Sequence, residues 1–356
     1  MTSRFFASTL AVGTLLVVFF VHPFAYVSAK TANFSHFGLN DVQNDDSNVS
    51  SDRGVESVSA IDASPANASD SNDSNARADS NADASLWLKL ERDERGVPLR
   101  LETSIVRFEG EFRASDGETR PVSVDLIGAI HLGEAAYYER LDAEFKEYET
   151  VVFELVAEKG FDAKDIAAAK KAKSEGPASP LDVVPLFQQS LADALGFVNQ
   201  TDGIDYAAPN LKRGDADADD FLVRLTTGGD IPRFFADSTL RSFFTSENGR
   251  FEGWALVYFF AKNKRLALRR LFADELARTE LDVDPNARET ALIHFRNKIA
   301  TEVAQKELEA GKTKIAVFYG AAHLDDLARR IEKTLTNPRR SEPRWITAWS
   351  MEPTAK

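Results

Sequence analysis

Four residues of this chain have types and settings that suit catalysis: His131, Glu154, Arg296 and His323. The two histidines, of only five in the sequence, each close an apolar strand-like run through the same Gly-x-x-His ending, Gly128-Ala-Ile-His131 and Gly320-Ala-Ala-His323. A glycine at the end of a strand lets the backbone leave the sheet at an angle a side chain would forbid, and it delivers the residue three places on to the carboxyl edge. That edge is where open α/β sheets bind ligands. Glu154 lies inside Val151-Val-Phe-Glu-Leu-Val156, where an ionised carboxylate is costly to bury without a cation, a proton or a metal. If that strand pairs beside the one ending at His131, Glu154 reaches the same edge.

Arg296 follows from helical geometry. Leu292, Phe295, Ile299 and Val303 form an apolar stripe, and at about 100° per residue Arg296 falls inside it. A buried guanidinium there calls for Glu154 or an anionic substrate. His294 points to the opposite, polar face and reads as a surface residue, while Asn297 sits at the rim of the stripe, placed to help orient a group in the site. Two imidazoles and a carboxylate suit a divalent metal such as Mn, Co or Zn, with His131, His323 and Glu154 as ligands and Arg296 holding a developing anion. The same residues also work without metal, by moving protons. Sequence leaves both chemistries open.

The elements that must position these residues are legible in the periodicity. Residues 86–91, 99–112 and 121–130 read as strands of an opening β-meander, with Ser115-Asp116-Gly117 as a hairpin turn between the last two. A helix over 133–148, carried by Ala136, Tyr137, Leu141 and Phe145, leads into the Glu154 strand and makes a βαβ unit. The middle reads as helices and loops: a segment 180–197, a loop around Tyr206, an apolar piece 254–261, and a basic run, Lys262 to Arg270, taken as the outer face of a helix. Asp215-Ala-Asp-Ala-Asp-Asp220 lacks the glycine and glutamate of a calcium loop and reads as a solvated loop leading into a helix. A long helix over 286–310 ends at Gly311, a strand runs from Lys314 to Tyr319, a helix from Leu324 to Leu335, and a last strand from Arg344 to Ser350. The expected fold is α/β: a mixed sheet flanked by helices, with two strand, Gly-x-x-His, helix modules.

Composition bounds the rest. Arg4, the apolar run Phe5 to Val21 and Val27-Ser28-Ala29 make residues 1–29 a secretory signal, or an uncleaved N-terminal anchor. Either way the remainder is exported, whether to a periplasm, the extracellular space or a membrane surface, and only this segment would touch a membrane. Residues 30–85, rich in Asn, Ser and Asp, read as a disordered acidic linker; ten acidic residues against Lys30, Arg53 and Arg77 carry about half of the net charge of −13. The domain at 86–350 is then only mildly acidic, which argues against nucleic acid as a partner. The chain has no cysteine, so thiol catalysis and disulfides are excluded, and no P-loop, Gly-x-Ser-x-Gly or Gly-x-Gly-x-x-Gly motif occurs.

Gly128-Ala-Ile-His131-Leu-Gly, Val152-Phe-Glu154, Phe295-Arg296-Asn297 and Tyr319-Gly320-Ala-Ala-His323-Leu, in that order, resemble the TraB/GumN family, which includes PrgY and the Tiki proteases and is distantly similar to erythromycin esterases and ChaN-like haem-binding proteins. The resemblance covers about residues 86 to 350. It implies a site built from His131, Glu154, Arg296 and His323, and an exported hydrolase, foremost a metal-dependent peptidase acting on a peptide. Esterase relatives imply a metal-free hydrolase of a small molecule; the remaining relatives imply a non-catalytic protein that binds a peptide signal or haem. Haem would need His or Tyr as axial ligands, since Met351 is the one methionine beyond Met1.

Overall fold

A computed structural model describes residues 86–161, 165–166, 183–227, 260–281 and 290–352. The expected signal segment, the acidic linker and residues 254–259 lie outside these residues.

The strands are β1 (Leu88–Arg92), β2 (Pro98–Arg113), β3 (Thr119–Ala129), β4 (Leu132–Gly133), β5 (Thr150–Phe153), β6 (Val198–Asn199), β7 (Leu211–Arg213), β8 (Lys314–Gly320), β9 (Thr336–Arg340) and β10 (Arg344–Ser350). The helices are α1 (Ala135–Phe145), α2 (Val183–Leu195), α3 (Gln200–Gly203), α4 (Ala218–Thr227), α5 (Lys264–Leu281), α6 (Arg296–Glu309) and α7 (Leu324–Thr334). Eight strands form one mixed sheet in the order β1-β2-β3-β8-β5-β7, with β9 and β10 also paired to β2. The fold is therefore α/β, as its periodicities predict. β1, β3, β9 and β10 each run antiparallel to β2, whereas β3, β8, β5 and β7 are parallel to one another.

The parallel part is the floor of the candidate site. Five consecutive residues of β8, Ile315 to Tyr319, are fully buried, as expected of a strand covered on both faces. It runs between β3 and β5, pairing Gly128 with Tyr319, Ala129 with Gly320 and Phe153 with Phe318. The two Gly-x-x-His strands are thus immediate neighbours and end together. Glu154 does not sit beside the His131 strand, because β8, which arrives more than 150 residues later in the sequence, is inserted between β3 and β5. Strand order of this kind is a long-range property that no local pattern carries.

Helix α6 packs on β5 and β8, and α7 packs on β2 and β3 and against α6. Ahead of α6, Ala291–Phe295 form a π-helical turn in which the Phe295 amide donates to the Thr290 carbonyl at 3.1 Å. The buried face of α6, which packs on β5 and β8, is Arg296, Asn297, Ala300, Thr301, Ala304, Glu307 and Leu308, with Phe295 and Ile299 only half-buried. The predicted stripe placed Arg296 correctly and Asn297 too far out. His294 does not lie on a free polar face: it is half-buried, and its Nδ1 accepts from the Thr290 amide at 3.1 Å. Nor is the basic run simply an outer face. Arg269 donates to the Leu195, Gly196 and Ser350 carbonyls and to Glu134, and Arg270 to the Met351 carbonyl, tying α5 to neighbouring chain ends.

Candidate active site

Beyond β3 and β8 the two modules diverge. After Gly320 the chain turns at once into a 3-10 turn, Ala321–His323, and His323 becomes the residue that starts α7, fully buried. After Gly128 it continues through Ala129 and Ile130, and His131 precedes the two-residue strand β4, which pairs with β6. His131 stays half-buried. Neither Gly128 nor Gly320 has a positive φ, so the glycines do not serve to bend the backbone. They allow close approach. A Cβ on Gly320 would stand 3.3 Å from Glu154 Oε2, and one on Gly128 would stand 3.3 Å from the Thr103 Cβ.

Glu154 follows β5 directly and is 5 % exposed. The Gly320 amide donates to its Oε2 at 2.6 Å, and Arg296 Nη2 donates to its Oε1 at 2.7 Å. His323 Nε2 lies 3.4 Å from the same Oε1. Arg296 also clasps Asp215, with Nε to Oδ1 at 2.9 Å and Nη2 to Oδ2 at 2.6 Å. One buried guanidinium thus serves two buried carboxylates. Burial works against the charge of Arg296, but Asp215 and Glu154 more than offset it and raise its pKa, so it stays a cation. Burial pushes Glu154 up to about 7, with the Arg296 cation opposing the rise and the Asp215 charge adding to it.

On its far side His323 Nδ1 meets Asn297 Oδ1 at 2.6 Å, while Asn297 Nδ2 donates to the His323 carbonyl and to Asp326 Oδ2, both at 3.0 Å. His131 is held differently. Its carbonyl accepts from the Gln200 amide at 2.8 Å, and Gln200 Nε2 donates to the Tyr206 hydroxyl at 2.9 Å. Although the residue as a whole is half-buried, desolvation draws its pKa down to about 4; the Arg296 charge adds to this and the Gln200 side chain opposes it. His131 is therefore neutral at pH 7.

Of the four residues singled out from sequence, Glu154, Arg296 and His323 are in direct contact. His131 feels the charge of Arg296, but its own hydrogen bonds go to Gln200. Sequence reasoning missed Asp215, assigned to a solvated loop and in fact 6 % exposed. The helix it was expected to precede is present as α4, but Asp215 itself is drawn inward by Arg296. A usable signal was Gly214, whose missing side chain makes room for Val152 of β5, because a Cβ there would collide with that valine. Asn297, read from sequence as a residue that orients a group in the site, is in contact with His323, a partner the sequence did not name.

Arg296 has two carboxylates to hold already, and it is 1 % exposed. It fits the role of a positioning residue better than that of an oxyanion clamp. The donor types for a divalent metal are right, and their present partners are these. Both oxygens of Glu154 are occupied by the Gly320 amide and by a guanidinium, and among the described residues no three of His, Asp or Glu stand in position to hold a metal ion. A groove of about 790 Å³ lined by Glu109, Ser123, Lys314 and Arg339 lies at the opposite ends of β3 and β8 and contains none of these residues. Among the described residues no helix is long and apolar enough to cross a membrane.

No family model, curated protein or solved structure gives a significant match to this chain.

Proposed function

We propose that this chain is an exported hydrolase that cleaves a peptide or small ester by acid–base chemistry. The observation that carries the reading is the placement of one buried carboxylate oxygen, Glu154 Oε1, 2.7 Å from the Arg296 guanidinium and 3.4 Å from His323 Nε2. Such a site holds a proton near neutrality and releases it when its surroundings change. Export rests on the N-terminal sequence, and the hydrolase class on the motifs that resemble TraB/GumN proteins.

Within this reading His131, the one member that is half-buried as a residue and neutral in its ring, takes a proton from the attacking water as its oxygen bonds to the carbonyl carbon. As the bond to the amine or alcohol breaks, the leaving group takes a proton from the Glu154–His323 pair. Arg296, Asp215 and the Gly320 amide keep the carboxylate in place. The protonation states required define a pH window. His131 must be free base, above about 4, and Glu154 must still carry its proton, below about 7. Turnover then peaks on the acid side of neutrality.

The test is a panel of fluorogenic peptides and aryl esters, assayed with the full secreted chain in chelator. Hydrolysis with a bell-shaped pH profile, reduced at least ~10²-fold in Glu154→Gln and in His131→Ala, is the expected result. Activity lost to chelator and restored by Mn, Co or Zn would place the metal-dependent peptidase ahead of this reading. No hydrolysis, with a spectral shift on titrating hemin, would favour the binding protein.

A further inference from the structure

Asn297 is fully buried, and its side chain faces three partners at once. Its Nδ2 donates to two acceptors, the His323 carbonyl and Asp326 Oδ2, each at 3.0 Å. Asp326 is itself held by Arg330, whose Nε lies 2.6 Å from Oδ2, and by Arg329 at 3.6 Å. Burial works against ionisation of Asp326, but Arg330 and Asn297 outweigh it and lower its pKa, so it remains an acceptor. Reversing the amide would point an oxygen at a carbonyl and a carboxylate. The orientation of Asn297 is therefore fixed by chemistry, and its Oδ1 must face His323 Nδ1, at 2.6 Å.

A carboxamide oxygen only accepts. The nitrogen opposite it must carry the hydrogen, which fixes the ring: Nδ1 bears a proton and Nε2 is turned toward Glu154 Oε1. We infer that Asn297, anchored by Asp326 and Arg330, is a positioning residue that locks His323 in the Nδ1–H form and so reserves Nε2 for exchange with Glu154. The anchor joins α6 to α7 across the turn that carries the histidine, and it ends at the partly exposed Arg330. Helix α6 therefore supplies both fixed points of the site from adjacent positions, Arg296 for the carboxylate and Asn297 for the imidazole. The functional consequence rests on the acid–base reading above; the tautomer does not.

The experiment is long-range ¹H–¹⁵N correlation of the imidazole nitrogens in the full chain across a pH titration, with His323 assigned by loss of its signals in His323→Gln. In the native protein Nδ1 carries hydrogen at every pH at which the protein is folded. Asn297→Leu, close in size but without the amide, moves the hydrogen to Nε2, while Asp326→Asn, which keeps an acceptor for Nδ2, leaves it on Nδ1. A hydrogen-free Nδ1 in the folded native protein overturns the proposal, and this holds even if Asn297→Leu does not fold. Folded Asn297→Leu with an unmoved tautomer overturns it too. Kinetics separate the two claims: with a substrate in hand, Asn297→Leu lowers kcat at least ~10-fold with KM little changed. A native protein that hydrolyses nothing yet shows the Nδ1–H form would sink the hydrolase reading and leave the inference standing.

Discussion

The same four-residue ending leaves two adjacent parallel strands, and the two histidines meet opposite fates. His323 turns into a helix within three residues, is fully buried, and touches Asn297 on one ring nitrogen and Glu154 on the other. His131 runs on past its strand, is half-buried as a residue, and has a ring governed by desolvation and by the charge of Arg296. What differs is the backbone after the glycine. A 3-10 turn tucks one ring under α6, and a short extended segment paired to β6 holds the other at the edge. A repeated motif thus places one imidazole in fixed, fully buried contacts and leaves the other residue half-buried at the sheet edge.

The largest effect that would break this contrast comes from Arg296→Met. It leaves Glu154 and Asp215 buried without their shared cation, and the expected loss is ~3–5 kcal/mol in urea unfolding. In whatever fraction folds, the His131 pKa rises part of the way, since burial still lowers it but the added effect of the Arg296 charge is gone. Next comes the direct comparison. His323→Ala opens a cavity and strands the Asn297 amide oxygen, for a loss of ~2–4 kcal/mol, whereas His131→Ala costs below ~1 kcal/mol; both remove activity. Equal losses in stability would mean that the two modules are not different in kind.

The smallest effect is the most discriminating, because the two residues shift in opposite directions. Glu154 is raised from its ordinary 4.5 to about 7, so folding takes up a proton and the stability it contributes, present below 4.5, is lost as pH rises through 7. His131 is lowered from 6.5 to about 4, so folding releases a proton and its contribution, present above 6.5, is lost as pH falls through 4. Between about 4.5 and 6.5 the two slopes oppose each other, and the native protein is expected to be nearly flat there. Glu154→Gln uncovers a stability that rises with pH, and His131→Gln one that falls, by up to ~1.4 kcal/mol per pH unit. Chemical denaturation at a series of pH values reads both slopes.

Much of this was visible in the sequence, for reasons that are local. The strands ending at the two glycines, α1, α7 and β10 follow from alternation or helical spacing. Glu154 and Arg296 stand out as charges in apolar company. What stayed hidden depends on distant partners or on a local deviation from ideal geometry. Asp215 looks like its acidic neighbours until Arg296 is placed against it. Asn297 was put at the rim because the apolar stripe was taken as the buried face, whereas the face of α6 turned to β5 and β8 carries Asn297, Ala300 and Ala304. β9, all exposed and containing Pro338, has no apolar signature and is a strand only because β2 offers it an edge. The glycines were recognised for the wrong reason, since it is the closeness of Glu154 and Thr103, not a left-handed backbone, that excludes a side chain.

The account turns on a carboxyl that is half-ionised near neutrality between a guanidinium and an imidazole. Its most direct test is ¹³C NMR of side-chain-labelled glutamate, with Glu154 assigned by difference from Glu154→Gln and followed from pH 3 to 9. A midpoint near 7 is the predicted result. A midpoint at the ordinary glutamate value of 4.5 would contradict it, leaving an ion pair that holds the fold together and no proton to give.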